Sequence, residues 1–417
     1  MPARILCCSG SLEGGGSERQ LWQLATRIDP HRFAVELYLL YRRGEYLQRL
    51  PPQLPVHDFQ SQSRQPALYL PGRIHRQQVA HLSAILREQK IDVVYDRNFH
   101  MTMITAAACR RTGIPRVSVI VSPPSYDFPR SGERFGWYKK RLLARAYGDP
   151  RQTCIAVSDS VAEDAARFYR IPLSRIHVMP SPIDIAAVQK AALVELPAAD
   201  ILQPVAAPLL RWSVVGRLSP EKGQRTAIEA HAQLCARRPQ QFFELTLVGD
   251  GPDRQALLEL AAQLGVQSSV RFVGYQSNPY AWMAASDLIC IPSIYEGLPN
   301  VALEAMCLSI PLVASDCSGS LRELLGSQHS ESDQLGSSNL SSRGMRVHER
   351  GVLTPVGDVA GLVAAVLDRI DRPAPWLSQA TAARAWITTQ HGIQPWLEHM
   401  QQLFEQRRVV DRSADQR

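Results

Sequence analysis

Two glutamates, Glu296 and Glu304, are separated by seven residues that begin with a glycine and include Pro299. The apolar residues 288–293 before them predict a strand, and a helical pattern follows, so a turn and a helix start are expected in between. Carboxylates accept hydrogen bonds from hydroxyl groups, and N–H groups at a helix start favour phosphate. Asn300 and Glu304 are four residues apart and share a helix face, so Glu304 could accept both hydroxyls of a ribose, with Glu296 before the helix and nearer the reacting end. Two ordinary surface glutamates are the alternative.

Two cations follow an earlier predicted strand at residues 212–215. Gly216 opens the loop, and Arg217 and Lys222 lie within it. A guanidinium can hold a phosphate through two donors, and a lysine adds a mobile point charge. The pair suits a diphosphate without a metal ion, although two exposed surface cations would give the same pattern.

Two further turns follow predicted strands. Asp250 is flanked by Gly249 and Gly251, and these glycines are expected to let a ligand approach the backbone closely. The segment is not a dinucleotide fingerprint, because Arg254 occupies the place of the third glycine. Residues 315–323 predict a turn and a helix N-cap, which alone indicate no function.

Short apolar runs alternate with amphipathic stretches along the chain, which predicts an α/β fold with parallel sheets covered on both faces. The predicted strands are residues 5–8, 35–40, 92–95, 117–121, 153–157 and 177–179 in the first half, and 212–215, 245–248, 270–273, 288–291 and 312–314 in the second. Ligands of such open sheets bind at the carboxyl ends of the strands.

The alternation divides the chain into two similar halves. The predicted organisation is an N-terminal Rossmann-like acceptor-side domain at residues 1–190, an alanine- and proline-rich linker at 191–208, a C-terminal Rossmann-like domain at 209–383 with a surface insertion at 327–350, a terminal helix at 384–406 that packs back toward the N-terminal domain, and a flexible tail at 407–417.

The composition of the 417 residues is that of a globular protein, with 45% hydrophobic residues and a formal net charge of +7. We expect no membrane-spanning segment, because no apolar run approaches the roughly 18 residues that spanning requires. The first apolar run predicts a core strand rather than a secretory signal, and the eight cysteines form no CxxC pair. These features favour a cytoplasmic protein with reduced thiols.

Basic and aromatic residues are interleaved between Phe128 and Tyr147. This pattern is typical of a helix on an anionic membrane surface, at the inner face of the membrane. It fits equally well a solvated helix face whose aromatic residues lie in the core. No nucleic-acid recognition module is present, which argues against nucleic acid as a partner.

Taken in order, the motifs of the second half resemble those of retaining glycosyltransferase family 4, which has the GT-B fold. The family's G-R-L-x-x-E-K-G, V-G-D-G-P-x-R, E-x7-E and G-x-L-x-P-x-G-D patterns match residues 216–223, 248–254, 296–304 and 351–358. The resemblance extends over essentially the whole chain, with the weaker motifs in the first half. It implies two Rossmann-like, doubly wound parallel-sheet domains that face each other across a cleft.

The resemblance also implies roles for individual residues. Arg217 and Lys222 would neutralise the diphosphate of the donor, Glu304 would bind its ribose, and Glu296 would contact the donor sugar near the reacting carbon. The expected nucleotide-sugar-binding residues are Gly15, Gly16, Gly216, Arg217, Lys222, Gly249, Asp250, Gly251, Glu296, Gly297, Leu298, Pro299, Asn300, Val301 and Glu304.

The first half departs from the family in two places. Arg97 occupies the position of the usual sugar-binding histidine, and His100 lies three residues beyond it, so either residue is a candidate for that role. The hinge at residues 178–184 has Ser181 and Pro182 in place of asparagine and glycine, and the proline is expected to stiffen it. The expected catalytic residues are Glu296, Arg217, Lys222, His100 and Arg97.

The function implied is retaining transfer of a sugar from a UDP-sugar or GDP-sugar to a hydroxyl of a glycan or lipid-linked acceptor, without metal or cofactor. Synthesis of a cell-surface polysaccharide or glycolipid would use such a reaction. Two alternatives stay open: a non-hydrolysing nucleotide-sugar epimerase, and an inactive protein that binds nucleotide sugars. Glu296 is expected to orient the donor rather than to act as a covalent nucleophile.

Overall fold

The computed structural model describes residues 2–13, 15–61, 72–130, 135–196, 209–327 and 344–414. The chain forms two compact units. Met1–Pro182 and Gln394–Arg417 make up the first unit, and Ile183–Ile393 makes up the second.

The first unit is built on one parallel sheet. Its strands are β1 (Ala3–Ser9), β2 (Phe33–Leu39), β3 (Val56–Asp58), β4 (Val93–Arg97), β5 (Arg116–Ile120), β6 (Thr153–Ala156) and β7 (Ile176–Val178). Its helices are α1 (Gly16–Arg27), α2 (Arg73–Glu88), α3 (Phe99–Thr112), α4 (Pro124–Arg130), α5 (Gly136–Tyr147), α6 (Asp159–Tyr169) and the last helix of the chain, Ile393–Ala414. The strand order is β3-β2-β1-β4-β5-β6-β7.

The second unit repeats this plan. Its helices are α7 (Ile185–Ala192), α8 (Gln224–Arg237), α9 (Arg254–Gln263), α10 (Pro279–Ala284), α11 (Asn300–Cys307), α12 (Gly319–Leu325), α13 (Val359–Asp371) and α14 (Pro373–Gln390), so the last helix of the chain is α15. Its strands are β8 (Leu209–Val215), β9 (Phe242–Val248), β10 (Val270–Gly274), β11 (Leu288–Ile291), β12 (Leu312–Ser315), β13 (Arg346–His348) and β14 (Gly351–Thr354). The order is β10-β9-β8-β11-β12-β14-β13, with β13 antiparallel to β14.

The central strands are apolar because helices cover both faces of each sheet. Ile5, Leu6, Cys7 and Cys8 of β1 are fully buried, and β11 is buried along its whole length. The predicted α/β class with parallel sheets is therefore confirmed.

Each sheet has a point at which the strand order reverses, between β1 and β4 in the first unit and between β8 and β11 in the second. The loops that follow these strands lie at the switch points where doubly wound sheets bind ligands. The loop at Gly216 follows β8, and the loop at Glu296 follows β11. In the first unit, Gly15 follows β1, and Arg97 ends β4.

The domain boundaries differ from the prediction at the ends of the first unit. This unit stops at Pro182 rather than at residue 190, because α7 packs against α10 and α11 of the second unit. The predicted terminal helix at 384–406 is instead the end of α14 and most of α15, with a break at His391 and Gly392. The predicted tail is helical as far as Ala414.

The two predicted irregular segments lie largely outside the described residues. For the linker, residues 197–208 are not described, and residues 191 and 192 complete α7. For the insertion, residues 328–343 are not described. Arg346–His348, predicted as part of that insertion, instead form β13, because they pair with β14 at the edge of the sheet.

Candidate active site at the switch point of the second unit

The loops after β8 and β9 are fastened to each other by backbone hydrogen bonds. The N–H of Gly216 donates to the carbonyl of Val248 (2.9 Å), and that of Leu218 donates to the carbonyl of Asp250 (3.0 Å). A Cβ added at Gly249 would lie 2.0 Å from the carbonyl oxygen of Gly216, and one at Gly251 would lie 2.2 Å from that of Leu218. The β8 loop therefore approaches the backbone closely at both glycines, and their contact with a ligand stays a prediction.

The β8 loop also packs against the loop that follows β11. A Cβ at Gly223 would lie 1.9 Å from the carbonyl oxygen of Pro292, so only glycine fits there. The N–H of Ile294 donates to the carbonyl of Glu221 (2.8 Å). These contacts bring the 3₁₀ turn Pro220–Lys222 next to Glu296.

Lys222 and Glu296 form an ion pair in which Nζ lies 2.6 Å from Oε1. The hydroxyl of Ser293 donates to the same carboxylate oxygen (2.8 Å). The side chain of Glu296 is 11% exposed and that of Lys222 is 30% exposed. Burial lowers the pKa of Lys222, but the charge and hydrogen bond of Glu296 outweigh that effect, so the pKa is raised. Lys222 is therefore held charged beside the carboxylate.

Arg217 presents a second cation on the same loop. Its side chain is exposed and makes no ion pair with any residue in the described part of the chain. Its backbone carbonyl accepts a hydrogen bond from Nε2 of Gln224 (2.8 Å), which ties the loop to the start of α8. Arg217 is thus fixed through its backbone, while its guanidinium remains available for a ligand.

Helix α11 carries the second glutamate of the pair. It begins at Asn300 after the extended residue Pro299, as predicted, so the amide groups of its first turn point out of its amino end. Glu304 is 4% exposed and lies among the buried apolar residues of this helix. The hydroxyl of Ser320 donates to the carbonyl of Gly297, which fixes the turn before the helix.

The glycines predicted in the first unit lie at the start of α1, where Gly15 is the N-cap and Gly16 the first helical residue. Gly14, which precedes them, is outside the described residues. A Cβ at Gly15 would lie 2.2 Å from Oε2 of Glu18, so this glycine makes room for that carboxylate. Burial raises the pKa of Glu18, and the charge of Arg97 lowers it by a smaller amount.

Arg97 and His100 occupy different surroundings although three residues separate them. Arg97 is buried at the end of β4, where Nη1 donates to the hydroxyl of Tyr95 (2.9 Å) and Nε has no hydrogen-bond partner among the described residues. Asn98, at φ +69°, redirects the chain. His100 lies on α3 and lines a cavity. Burial of its imidazole lowers the pKa of His100, and the nearby charge of Lys139 lowers it further.

Sequence reasoning missed the residues that hold the two loops in place. Ser293, Gln224 and Ser320 each bond to a predicted site residue or to its turn. Ser293 carried a usable signal, since it ends the β11 segment three residues before Glu296. Among the described residues, no group of three or more His, Cys, Asp or Glu side chains is arranged to hold a metal ion. Those residues also include no helix that is both long and apolar enough to cross a membrane.

Comparison with known proteins gives two family matches. Residues 14–187 match the model for Glycosyltransferase Family 4, and residues 212–332 match that for Glycosyl transferases group 1. The chain is 32% identical over 182 residues to the 2-deoxystreptamine glucosyltransferase of Streptomyces kanamyceticus. The aligned residues cover 43% of this chain and 41% of that protein.

A second relative is the N-acetylgalactosamine-N,N'-diacetylbacillosaminyl-diphospho-undecaprenol 4-alpha-N-acetylgalactosaminyltransferase of Campylobacter jejuni. It is 28% identical over 166 residues, which cover 39% of this chain and 41% of the relative. The alignments therefore span less than half the length of either curated relative.

Among solved structures, Anabaena HepE in complex with UDP and glucose superposes with a TM-score of 0.74 at 22% identity, over 96% of this chain and 99% of that one. This likeness confirms the GT-B fold. The two family matches cover most of the described part of both units and include the loop of Arg217 and the Glu296–Glu304 turn. By its sequence and its fold, the chain belongs to the group 1, family 4 glycosyltransferases.

Proposed function

We propose that this protein transfers a sugar from a nucleoside-diphosphate sugar to a hydroxyl group, with retention of anomeric configuration and without a metal ion. One observation carries the proposal: the Lys222–Glu296 ion pair joins the loops after β8 and β11 at the switch point of the second sheet, and the exposed Arg217 lies on the same loop as Lys222. The arrangement places a carboxylate that suits sugar hydroxyls beside two cations that suit a diphosphate.

In this proposal the bound donor separates the Lys222–Glu296 ion pair and becomes the new partner of both side chains. Lys222 and Arg217 neutralise its diphosphate. The backbone N–H groups of Leu298, Asn300 and Val301, at and just before the start of α11, donate further hydrogen bonds to it. Glu296 then accepts a hydroxyl of the donor sugar. Glu304, one turn into α11, accepts the ribose hydroxyls.

The transfer itself needs stabilisation of the leaving group. The acceptor oxygen bonds to the anomeric carbon from the face that the diphosphate leaves, the bond from that carbon to the phosphate oxygen breaks, and the acceptor proton passes to the departing phosphate. Fixed cations stabilise the charge that develops there. In this proposal Glu296 orients the donor sugar, with the hydroxyl of Ser293 bonded to its Oε1, and forms no covalent bond to the anomeric carbon.

The donor is a UDP-sugar or a GDP-sugar, and the acceptor is a glycan or a lipid-linked sugar of cell-surface polysaccharide or glycolipid synthesis. The UDP and glucose in the HepE structure and the undecaprenol in the name of the Campylobacter relative support these classes. Association with an anionic membrane at its inner face fits the exposed rings of Trp137 and Phe135 at the start of α5. Flotation of the protein with anionic vesicles tests that association.

The direct test is to incubate the protein with a panel of UDP-sugars and GDP-sugars, with and without glycan and lipid-linked acceptors. We expect nucleotide release that increases when the acceptor is added, and an axial or equatorial linkage that matches the donor when the product is analysed by NMR. Tight binding without release would contradict catalysis, and an epimerised donor without transfer would indicate the epimerase alternative.

A further inference from the structure

A large cavity in the first unit is lined by His100, one of the two candidates for the sugar-binding position, but by none of the residues assigned to the diphosphate or the ribose. It has a volume of about 800 Å³ and is bordered by the loops after β1 and β2 and by the starts of α2, α3 and α5. We name it the α2–α5 cavity. Its volume lies in the range of roughly 300–1,000 Å³ that small-molecule sites occupy. Gly10, Leu40 and Asn98 place it at the carboxyl ends of β1, β2 and β4, the edge of the sheet at which doubly wound folds bind ligands.

Most of the wall is apolar. Met101, Met103 and Ile104 line it from α3, and Phe135 and Leu142 line it from the α5 side. Phe135 is 64% exposed. Burying apolar surface under a ligand stabilises the complex by about 25 cal/mol per Å². Methionine side chains also adapt their shape to irregular apolar ligands. This wall therefore favours an aliphatic chain over a free sugar.

The remaining wall is positively charged. Arg76 and His75 come from α2, His100 from α3 and Lys139 from α5, and no acidic residue is among the described residues that line the cavity. Removal from water is the largest cause of the lowered pKa of both histidines, and the charge of Lys139 lowers both further. The field of Lys139 thus reaches the α2 wall and the α3 wall. This charge is complementary to a phosphate.

We propose that the α2–α5 cavity binds an amphiphile that carries a phosphate, with its aliphatic chain against Met101, Met103 and Ile104 and its phosphate between Arg76 and Lys139. Identifying this amphiphile as the acceptor rests on the proposed function, whereas the binding itself does not. The acceptor is then a sugar linked through phosphate to an aliphatic chain, rather than a glycan in general.

The test is calorimetric titration of the full chain with decyl phosphate and, separately, with decyl maltoside, each below its micelle concentration. We expect saturable binding of one decyl phosphate per chain, about tenfold tighter than decyl maltoside, since one charged contact is worth about that factor. Equal affinity for the two head groups would overturn the proposal. So would unsaturable uptake of many molecules per chain, which indicates partition onto an apolar surface.

The variants K139Q and R76Q should each weaken decyl phosphate binding about tenfold and leave decyl maltoside binding unchanged. R141Q is the matched control, because Arg141 lies on the same helix and in the same basic stretch but does not line the cavity. K139R should retain most of the affinity. Circular dichroism checks that each variant is folded. A loss in R141Q equal to that in K139Q would refute a defined site.

Nucleotide release from UDP-sugars and GDP-sugars by the same proteins separates the two proposals. Donor turnover without any amphiphile binding overturns the cavity assignment alone. Decyl phosphate binding that is sensitive to Lys139, in a protein that binds no nucleotide sugar, supports the cavity assignment and overturns the proposed function.

Discussion

Nζ of Lys222 lies 2.6 Å from Oε1 of Glu296, so the lysine expected to meet a diphosphate is already paired with a carboxylate. The two residues are 74 positions apart and meet because the turn Pro220–Lys222 packs against the loop after β11. Removing either partner therefore has a structural effect as well as an effect on the donor.

We expect K222A to destabilise the fold by about 1–3 kcal/mol, because it leaves the mostly buried Glu296 without its counter-charge. The double variant K222M/E296Q should recover most of that loss, since neither partner is then charged. Urea unfolding of the single and double variants measures the coupling. R225A is the control, because Arg225, three residues after Lys222, forms an exposed ion pair with Glu229. Additive losses in the double variant would show that the ion pair contributes nothing to stability.

Replacing Arg217 should lower activity without lowering stability, unlike the replacement of Lys222. R217A removes a guanidinium without an ion pair among the described residues, so the free energy of unfolding should change by less than about 0.5 kcal/mol. Its kcat/KM for the nucleotide sugar should fall by about 10²–10³, the usual cost of removing a donor to developing charge. Steady-state kinetics and thermal unfolding on the same preparation test both statements, and R225A should leave both near wild type. Turnover of R217A close to wild type would remove the diphosphate assignment.

The contact between the loops after β8 and β9 predicts an effect on stability at Gly249, which has no side chain of its own. G249A should destabilise the protein by more than about 2 kcal/mol, because its methyl group would collide with the carbonyl of Gly216 and Gly249 has φ +143°. G265A is the matched control. Gly265 also has positive φ (+70°), but a Cβ there meets open space, so only about 1 kcal/mol of backbone strain is expected. If chemical denaturation showed that G249A and G265A lose equal free energy of unfolding, backbone strain alone would explain the effect.

His231 should make the fold sensitive to acid. The indole Nε1 of Trp212 donates to its Nδ1 (3.2 Å), so the proton of the neutral ring is on Nε2, which lies 2.8 Å from the hydroxyl of Ser269. Burial lowers the pKa of His231 from 6.5 to about 4. Between these values the unfolded chain binds a proton that the folded chain does not, so stability falls as the pH drops from 6.5 to 4, by up to about 3 kcal/mol.

The variant H231Q removes this titration. Its free energy of unfolding should decline less steeply over the same pH interval, as measured by urea unfolding at a series of pH values. H399Q replaces an exposed histidine on α15 and should keep the wild-type slope. An unchanged slope in H231Q would show that His231 is not the group responsible.

The fold could be predicted from the sequence because its determinants are local. The apolar runs at β1 and β11 are uninterrupted and short, and the periodicity between runs is helical. The positions of Arg217 and Glu296 at strand ends followed from the same pattern. Their loops could be placed at one edge of one sheet because all the strands that precede them are parallel.

What the sequence did not predict depends on contacts between distant segments. The Lys222–Glu296 pair requires the packing of Gly223 against Pro292, which no local pattern reveals. Gly249 and Gly15 were predicted to contact the nucleotide sugar, and no sequence pattern showed that each also makes room for another part of the chain. The break between α14 and α15 was missed because apolar residues occur on both sides of it, although Gly392 and Pro395 are both residues that interrupt helices.

Helix α15 has a consequence for the order in which the protein folds during synthesis. Phe404 packs against Phe33 and Tyr95, and Arg407 donates to the hydroxyl of Thr153, so the sheet that the ribosome makes first is covered by a helix made at least 211 residues after Pro182. The second unit is continuous in the chain and can be complete before α15 emerges. The first unit therefore waits with an apolar surface uncovered, and that interval is when a nascent chain is most exposed to chaperones and to aggregation.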